Sequence, residues 1–145
     1  MDIIEKLNDL TNGNLLLWKV IFTTILFALA GLQVAMAAGF YEVAPVPGGP
    51  ATATRVHRAS GRIAITLAVV VAFTCLAGPA GPTSPTRVLL HSIFGTLIFV
   101  LLAAKFAVLK LTRSGGRALP FLGIALFLTF GAVWATSVAD YVAAR

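Results

Sequence analysis

The sequence predicts an all-α membrane protein in which four membrane-spanning helices form one bundle, preceded by a short N-terminal interfacial helix. Of its 145 residues, 59% are hydrophobic and only 11% are charged, whereas a water-soluble domain normally has about 25% charged residues. A membrane span needs about 20 mostly apolar residues. The runs that supply the spans are Val20 to Tyr41, Ile63 to Ala77, Val88 to Ala104 and Ala118 to Ala139.

With their flanking residues, the expected spans cover residues 15–41, 57–78, 87–111 and 118–142. They use most of the chain and leave no room for a separate soluble domain. We therefore expect a single transmembrane domain over residues 1–145. Any chemistry must then lie between the helices or at their ends.

The N-terminal segment has the pattern of a short amphipathic helix that ends at Asn12-Gly13. Its apolar face has Ile3, Ile4, Leu7 and Leu10, and its polar face has Asp2, Glu5, Lys6 and Asp9. Such a helix lies in the membrane interface. The acidic residues stand where a cleavable signal peptide would carry positive charge, so we expect the first span to be retained.

The first span begins near Trp18 and ends at Phe40-Tyr41, as expected where aromatic rings meet lipid headgroups. Small residues recur along it at spacings of three and four, which lets another helix approach closely. They are Ala28, Gly31, Ala35 and Gly39. The Gly- and Pro-rich segment that follows, Glu42 to Thr54, is predicted to be an extended loop.

Spans two and three are predicted to be antiparallel, because the connection between them, Gly78 to Pro85, is short and rich in Gly and Pro. The connection from span three to span four, Thr112 to Arg117, is short and basic. Lys105 lies near the end of span three, from where its long side chain can reach the headgroups.

Basic residues are concentrated at one end of the predicted bundle. That end carries Arg55, Arg58, Arg62, Lys110, Arg113 and Arg117, whereas the other end has Lys6, Lys19, Arg87 and Arg145 offset by Asp2, Glu5, Asp9 and Asp140. The positive-inside rule assigns the more basic end to the cytoplasm. We therefore expect loops 42–56 and 112–117 to be cytoplasmic in a plasma-membrane protein, with both termini outside.

Residue content excludes several kinds of chemistry. Cys75 is the only cysteine, so an intramolecular disulfide, covalently attached c-type haem and thiolate-bound iron–sulfur clusters are excluded. The acidic residues lie at or outside the interfaces, which leaves no paired carboxylates within the membrane. We expect no independent catalytic activity. The positive charge is explained by membrane orientation, so no nucleic-acid partner is expected.

The two histidines open spans two and three in the same local setting. His57 is followed by Gly61 and His91 by Gly95, in each case four residues later. On a helix these positions share one face, so the imidazole projects beside a bare strip of backbone. This arrangement suits a flat macrocycle, and histidine is a usual axial ligand of haem iron. Interfacial hydrogen bonding, quinone binding and proton relay are the alternatives.

Because spans two and three are antiparallel, His57 and His91 are expected at opposite ends and cannot bind one iron within one chain. We favour His57 as the ligand, with Met36 at a similar depth as a second ligand. Arg58 and Arg62, with Arg55, are candidates to pair with haem propionates. The same arginines are also explained by contact with anionic lipid.

Several short stretches resemble a family of small, functionally uncharacterised four-helix membrane proteins from actinobacteria. They are His57-Arg58-Ala59-x-Gly61, Cys75, Leu90-His91-Ser92 with Gly95 and Lys105, Leu119-Pro120-x-x-Gly123 and Trp134-x-Thr136-Ser137. Some members have a histidine before the cysteine, where this chain has Thr74. The helix count and histidine placement are also similar to transmembrane b-type cytochromes, which usually offer four ligating histidines.

These features together predict a membrane-embedded subunit that binds haem b and transfers electrons within a larger redox or respiratory complex. The metal ligands would be His57 and His91, with Met36, Gly61, Gly95, Arg58 and Arg62 completing the cofactor sites. Two alternatives stay open. In the first alternative the chain is an accessory subunit that stabilises a membrane complex, and in the second it is a quinone-binding subunit. Other membrane subunits or further copies of the chain are the expected partners, together with lipid.

Overall fold

The computed structural model describes residues 3–77, 84–111 and 117–143, without the side chains of residues 3, 4, 7 and 8. The helices in these ranges are α1 (Ile3–Leu10), α2 (Leu15–Phe40), α3 (Gly49–Ala77), α4 (Pro85–Leu111) and α5 (Ala118–Ala143). Four of them, α2 to α5, are long and apolar enough to cross a membrane. The predictions of an all-α fold and of four spans are therefore confirmed.

The surface position predicted for α1 stays a prediction, and the side chains of Ile3, Ile4 and Leu7 lie outside the described residues. The predicted turn at Gly78 to Pro85 and the loop at Thr112 to Arg117 also fall mostly outside them.

Helix α2 occupies the middle of the bundle. It packs against α3 on one side and α5 on the other, and α4 packs against α5. Helices α3 and α4 make little direct contact in the described ranges, although they are consecutive in the chain. A gap therefore opens between them. We call the end where α3 and α5 begin the His57 end, and the end where α4 begins the His91 end.

The buried contacts between helices are made by small and medium-sized side chains. Between α2 and α3 they are Leu26, Ala64, Ala68 and Val71, and between α4 and α5 they are Ile98, Leu126 and Val133. In lipid there is little hydrophobic drive for helices to associate, so close van der Waals packing between small residues holds the bundle together.

The hydroxyl groups within the spans are satisfied by their own helices. Thr23, Thr129 and Ser137 each bond the carbonyl oxygen four residues earlier, at 2.7 to 2.9 Å. This internal pairing is required because the hydrocarbon region supplies no water to bond. The Trp134 indole instead donates to Thr24 Oγ1 at 3.0 Å and so links α5 to α2.

The predicted stripe of small residues on α2 is only partly used for packing. Gly39 is buried, and a Cβ at Gly31 would lie 3.7 Å from the Phe127 ring. Ala28 and Ala35 are exposed, which corrects the prediction for these two residues. The reason is that α2 contacts two helices on different faces, so no single stripe covers its interface.

Helix α3 begins earlier than the sequence predicted. Residues from Gly49 to Thr54, expected to be part of an extended loop, form its first turns. Proline is tolerated in the first turn of a helix, where its missing N–H has no partner to lose, and Pro50 occupies this turn. Ala53 is fully buried against the bare backbone of Gly39. This contact fixes the early start of α3.

Candidate functional site

At the His57 end, a polar network joins α2 to α3. The His57 ring donates from Nδ1 to the backbone oxygen of Gln33 at 3.1 Å. The Gln33 side chain donates from Nε2 to the His57 backbone oxygen at 2.8 Å and to Ser60 Oγ at 2.6 Å. Phe40 meets the His57 ring edge-on, with ring centroids 5.2 Å apart. The protein itself therefore supplies hydrogen-bond partners for both the His57 ring and the Gln33 carboxamide.

The bare strip predicted beside His57 is covered by Gln33. A Cβ added at Gly61 would lie 3.2 Å from Gln33 Oε1. The glycine at this position thus makes room for the Gln33 carboxamide. A macrocycle against the same strip would have to displace a side chain that makes two hydrogen bonds.

The other residues predicted for this site are half-buried or exposed. Met36 is half-buried on α2, and among the described residues no hydrogen bond joins it to His57. Arg58 and Arg62 are exposed on α3. This end therefore has a histidine that is already held by α2, with exposed arginines on the same helix.

At the His91 end, the imidazole is oriented by α5. His91 Nδ1 lies 2.9 Å from Thr136 Oγ1. The Thr136 hydroxyl reaches the backbone oxygen of Val133 at 2.9 Å, so its hydrogen is directed there and its oxygen accepts from His91 Nδ1–H. The second ring nitrogen, Nε2, then carries the lone pair, and Cys75 Sγ is its neighbour at 3.9 Å. A hydrogen bond of this kind fixes the tautomer and ring orientation of metal-binding histidines.

His91 lines a half-enclosed cleft in the gap between α3 and α4. The cleft has a volume of about 350 Å³ and a mostly apolar lining that comes from α2, α3, α4 and α5. Its volume lies within the range of about 300 to 1,000 Å³ that is typical of small-molecule sites. Gly95 also lines the cleft, and a Cβ added there would meet nothing within 4 Å. The His91–Gly95 strip is therefore open, unlike the His57–Gly61 strip.

Cys75 faces His91 across the cleft. Its Sγ atom lies 3.9 Å from His91 Nε2, and the cysteine is half-buried near the end of α3. The described residues contain no group of three or more His, Cys, Asp or Glu side chains that could hold a metal ion. A two-ligand pair of this kind suits a metal whose other ligands come from a macrocycle.

Charged side chains close the His91 end of the cleft. Lys19 and Asp140 both line it. Arg87 Nη1 lies 3.8 Å from Asp140 Oδ1 and donates to the backbone oxygen of Ala139 at 3.4 Å. Lys19 lines the same cleft as His91 and Cys75. An amphiphilic ligand in the cleft would thus have apolar walls along its body and, at its polar edge, the Lys19 cation and the Asp140 carboxylate.

The structure brings only two of the predicted site residues, His91 and Gly95, into one cleft. His57 and Gly61 lie at the opposite end, as the antiparallel order of α3 and α4 predicts. Sequence reasoning missed Gln33, although a carboxamide within an apolar span is a signal of interhelical bonding. It also did not predict that Lys19 and Cys75 line a cleft with His91, because pairing between turns of different helices leaves no sequence pattern.

Comparison with known proteins gives a family but no activity. No curated protein and no solved structure matches the chain. A family model, described as a family of unknown function (DUF6529), matches residues 6–144. That match covers almost the whole chain, including every helix from α2 to α5. The chain therefore belongs to the DUF6529 family.

Proposed function

We propose that the protein is a membrane-embedded subunit that binds haem b in the cleft between α3 and α4, with His91 as an axial ligand, and transfers electrons within a larger redox assembly. The observation that carries the proposal is the open His91–Gly95 strip on the wall of an apolar cleft. A flat macrocycle needs both a ligating nitrogen and bare backbone beside it.

The residues of the cleft fit the chemical parts of haem b. His91 Nε2 would face the iron because Nδ1 is used by Thr136, and the contact of Nε2 with Cys75 Sγ is long, at 3.9 Å. The apolar lining suits the faces of the ring, and Lys19 offers a positive charge for a propionate. When bound, the haem would supply one-electron redox chemistry, whereas the protein sets its orientation, axial ligation and exclusion from water.

The proposal moves the site from the His57 end, which the sequence favoured, to the His91 end. Gln33 covers the strip beside His57, and the arginines nearby are exposed. We assign Arg58 and Arg62 to the orientation of the bundle and to contact with anionic lipid. The proposed orientation keeps the His57 end in the cytoplasm and the His91 end outside the plasma membrane.

Two histidine variants test the location of the haem. We expect His91→Ala to lose the bound haem, because it removes the iron's main protein ligand. The matched control is His57→Ala, which should keep its full haem content, since His57 is used to join α2 to α3. Haem per protein is measured as the pyridine haemochrome after purification in detergent. Loss of haem from His57→Ala with retention in His91→Ala would place the site at the other end.

A quinone is the second candidate for the same cleft. The gap between α3 and α4 gives the cleft a lateral opening, and Ser92 and Thr96 add hydroxyl groups to its apolar wall. A lipid-soluble quinone could enter by that route and accept hydrogen bonds at its carbonyl oxygens. Organic extraction of the purified protein distinguishes the two ligands, because a quinone would be recovered from a preparation that has no haem absorption.

A further inference from the structure

The cleft contains a second group of the kind that binds iron. Cys75 Sγ and His91 Nε2 approach to 3.9 Å from opposite walls, one on α3 and the other on α4. Bonds from a transition metal to imidazole nitrogen and to thiolate sulfur are about 2.0 and 2.3 Å long. Two ligands on opposite sides of one metal are thus about 4.3 Å apart. The observed separation is close to this value.

The walls around the pair leave space for a ring between them. Gly95 follows His91 by one turn on α4, and Ala72 precedes Cys75 by one turn on α3. Both line the cleft, and neither presents a large side chain to it. Helices α3 and α4 make little direct contact, so a separation wider by a few tenths of an ångström breaks no helix packing.

We infer that Cys75 is the second axial ligand of the haem, opposite His91. This inference rests on the proposed function, because it concerns the same cleft. Cys75 binds as the thiolate: its S–H bond breaks, its proton is released to water, and the sulfur donates an electron pair to ferric iron. No electron is transferred in this step. Lys19 lines the same cleft and would supply a positive charge on the side of the thiolate.

The test compares Cys75→Ala with the wild type and with Thr74→Ala as a matched control. Thr74 is the neighbouring residue and bonds only its own helix, at the backbone oxygen of Val71. We expect Cys75→Ala to keep most of its haem through His91. Its ferric haem should change from low spin to high spin in electron paramagnetic resonance, and its reduction potential should rise, because a thiolate pushes electron density towards the iron. Thr74→Ala should match the wild type in both measurements.

Haem that is bound in Cys75→Ala with an unchanged spin state and potential would overturn the inference and leave the proposed function standing. If Cys75→Ala loses its haem, Cys75→His is the second variant to test. Recovery of low-spin haem, now held by two imidazoles, would support an axial position for residue 75. Failure to recover it would contradict that position. A wild-type protein without haem would contradict both the inference and the proposed function.

Discussion

Two glycines that stand four residues after the two histidines have opposite surroundings. Gly61 has the Gln33 carboxamide over it, whereas Gly95 faces open space in the cleft. The sequence indicated both His–Gly pairs from their spacing. Spacing alone could not distinguish their surroundings, because the side chain that covers Gly61 comes from α2, 28 positions earlier by the numbering of the chain.

Filling the strip at Gly95 should block the ligand without harming the fold. Gly95→Leu adds a side chain where no atom lies within 4 Å of the new Cβ, so it occupies the cleft instead of displacing the core. We expect its haem content to fall at least tenfold while its thermal unfolding in detergent stays close to that of the wild type.

The matched control for Gly95→Leu is Gly123→Leu on α5. A Cβ at Gly123 also meets nothing within 4 Å, and Gly123 does not line the cleft. This variant should bind haem normally. Equal haem content in the two variants would show that the His91–Gly95 strip is not the ligand surface.

At the scale of helices, Gln33 is the main polar link between α2 and α3. Its carboxamide bonds the His57 backbone and Ser60 Oγ, and Ser60 is itself buried. Hydrogen bonds between membrane helices contribute about 0.6 kcal/mol on average and up to about 1.7 kcal/mol. We therefore expect Gln33→Leu to lower the free energy of unfolding by about 1 kcal/mol.

A double-mutant cycle isolates this link. Gln33→Leu, Ser60→Ala and the double variant are unfolded in mixed detergent, and their free energies are compared. The double variant should lose less stability than the two single losses added together. Its haem content should stay at the wild-type level, because the cleft lies at the other end. Additive losses would mean that the bond between Gln33 and Ser60 contributes nothing measurable.

The sequence predicted which segments form the long helices, but it did not predict where α3 begins or which helices pack against each other. The apolar runs indicated α2 to α5, because lipid requires each backbone to bond within its own helix. The start of α3 at Gly49 was missed, since Gly48, Gly49 and Pro50 indicate a loop when considered alone. Burial of Ala53 against Gly39 favours a helix from Gly49 onwards, and that contact depends on the position of α2. The gap between α3 and α4 has the same origin, because it depends on α2 and α5 being in the centre.

At the scale of the whole molecule, the charge distribution predicts the orientation. Arg55, Arg58 and Arg62 on α3, with Lys110 on α4, lie at the His57 end, which the positive-inside rule assigns to the cytoplasm. In a Cys75→Ala background, a cysteine at Ser114 should resist a membrane-impermeant maleimide in intact cells. A cysteine at Thr83 should be labelled. The reverse pattern would invert the orientation and move the cleft to the cytoplasmic side.

The central claim is that the bundle holds haem in the cleft at His91. Its most direct test is the absorption spectrum of the purified wild-type protein before and after reduction with dithionite, recorded after expression with adequate haem supply. We expect a reduced-minus-oxidised difference spectrum of b-type haem, with about one haem per chain, because one axial histidine is enough to hold each iron. A well-folded, colourless protein that binds no added haem would contradict it.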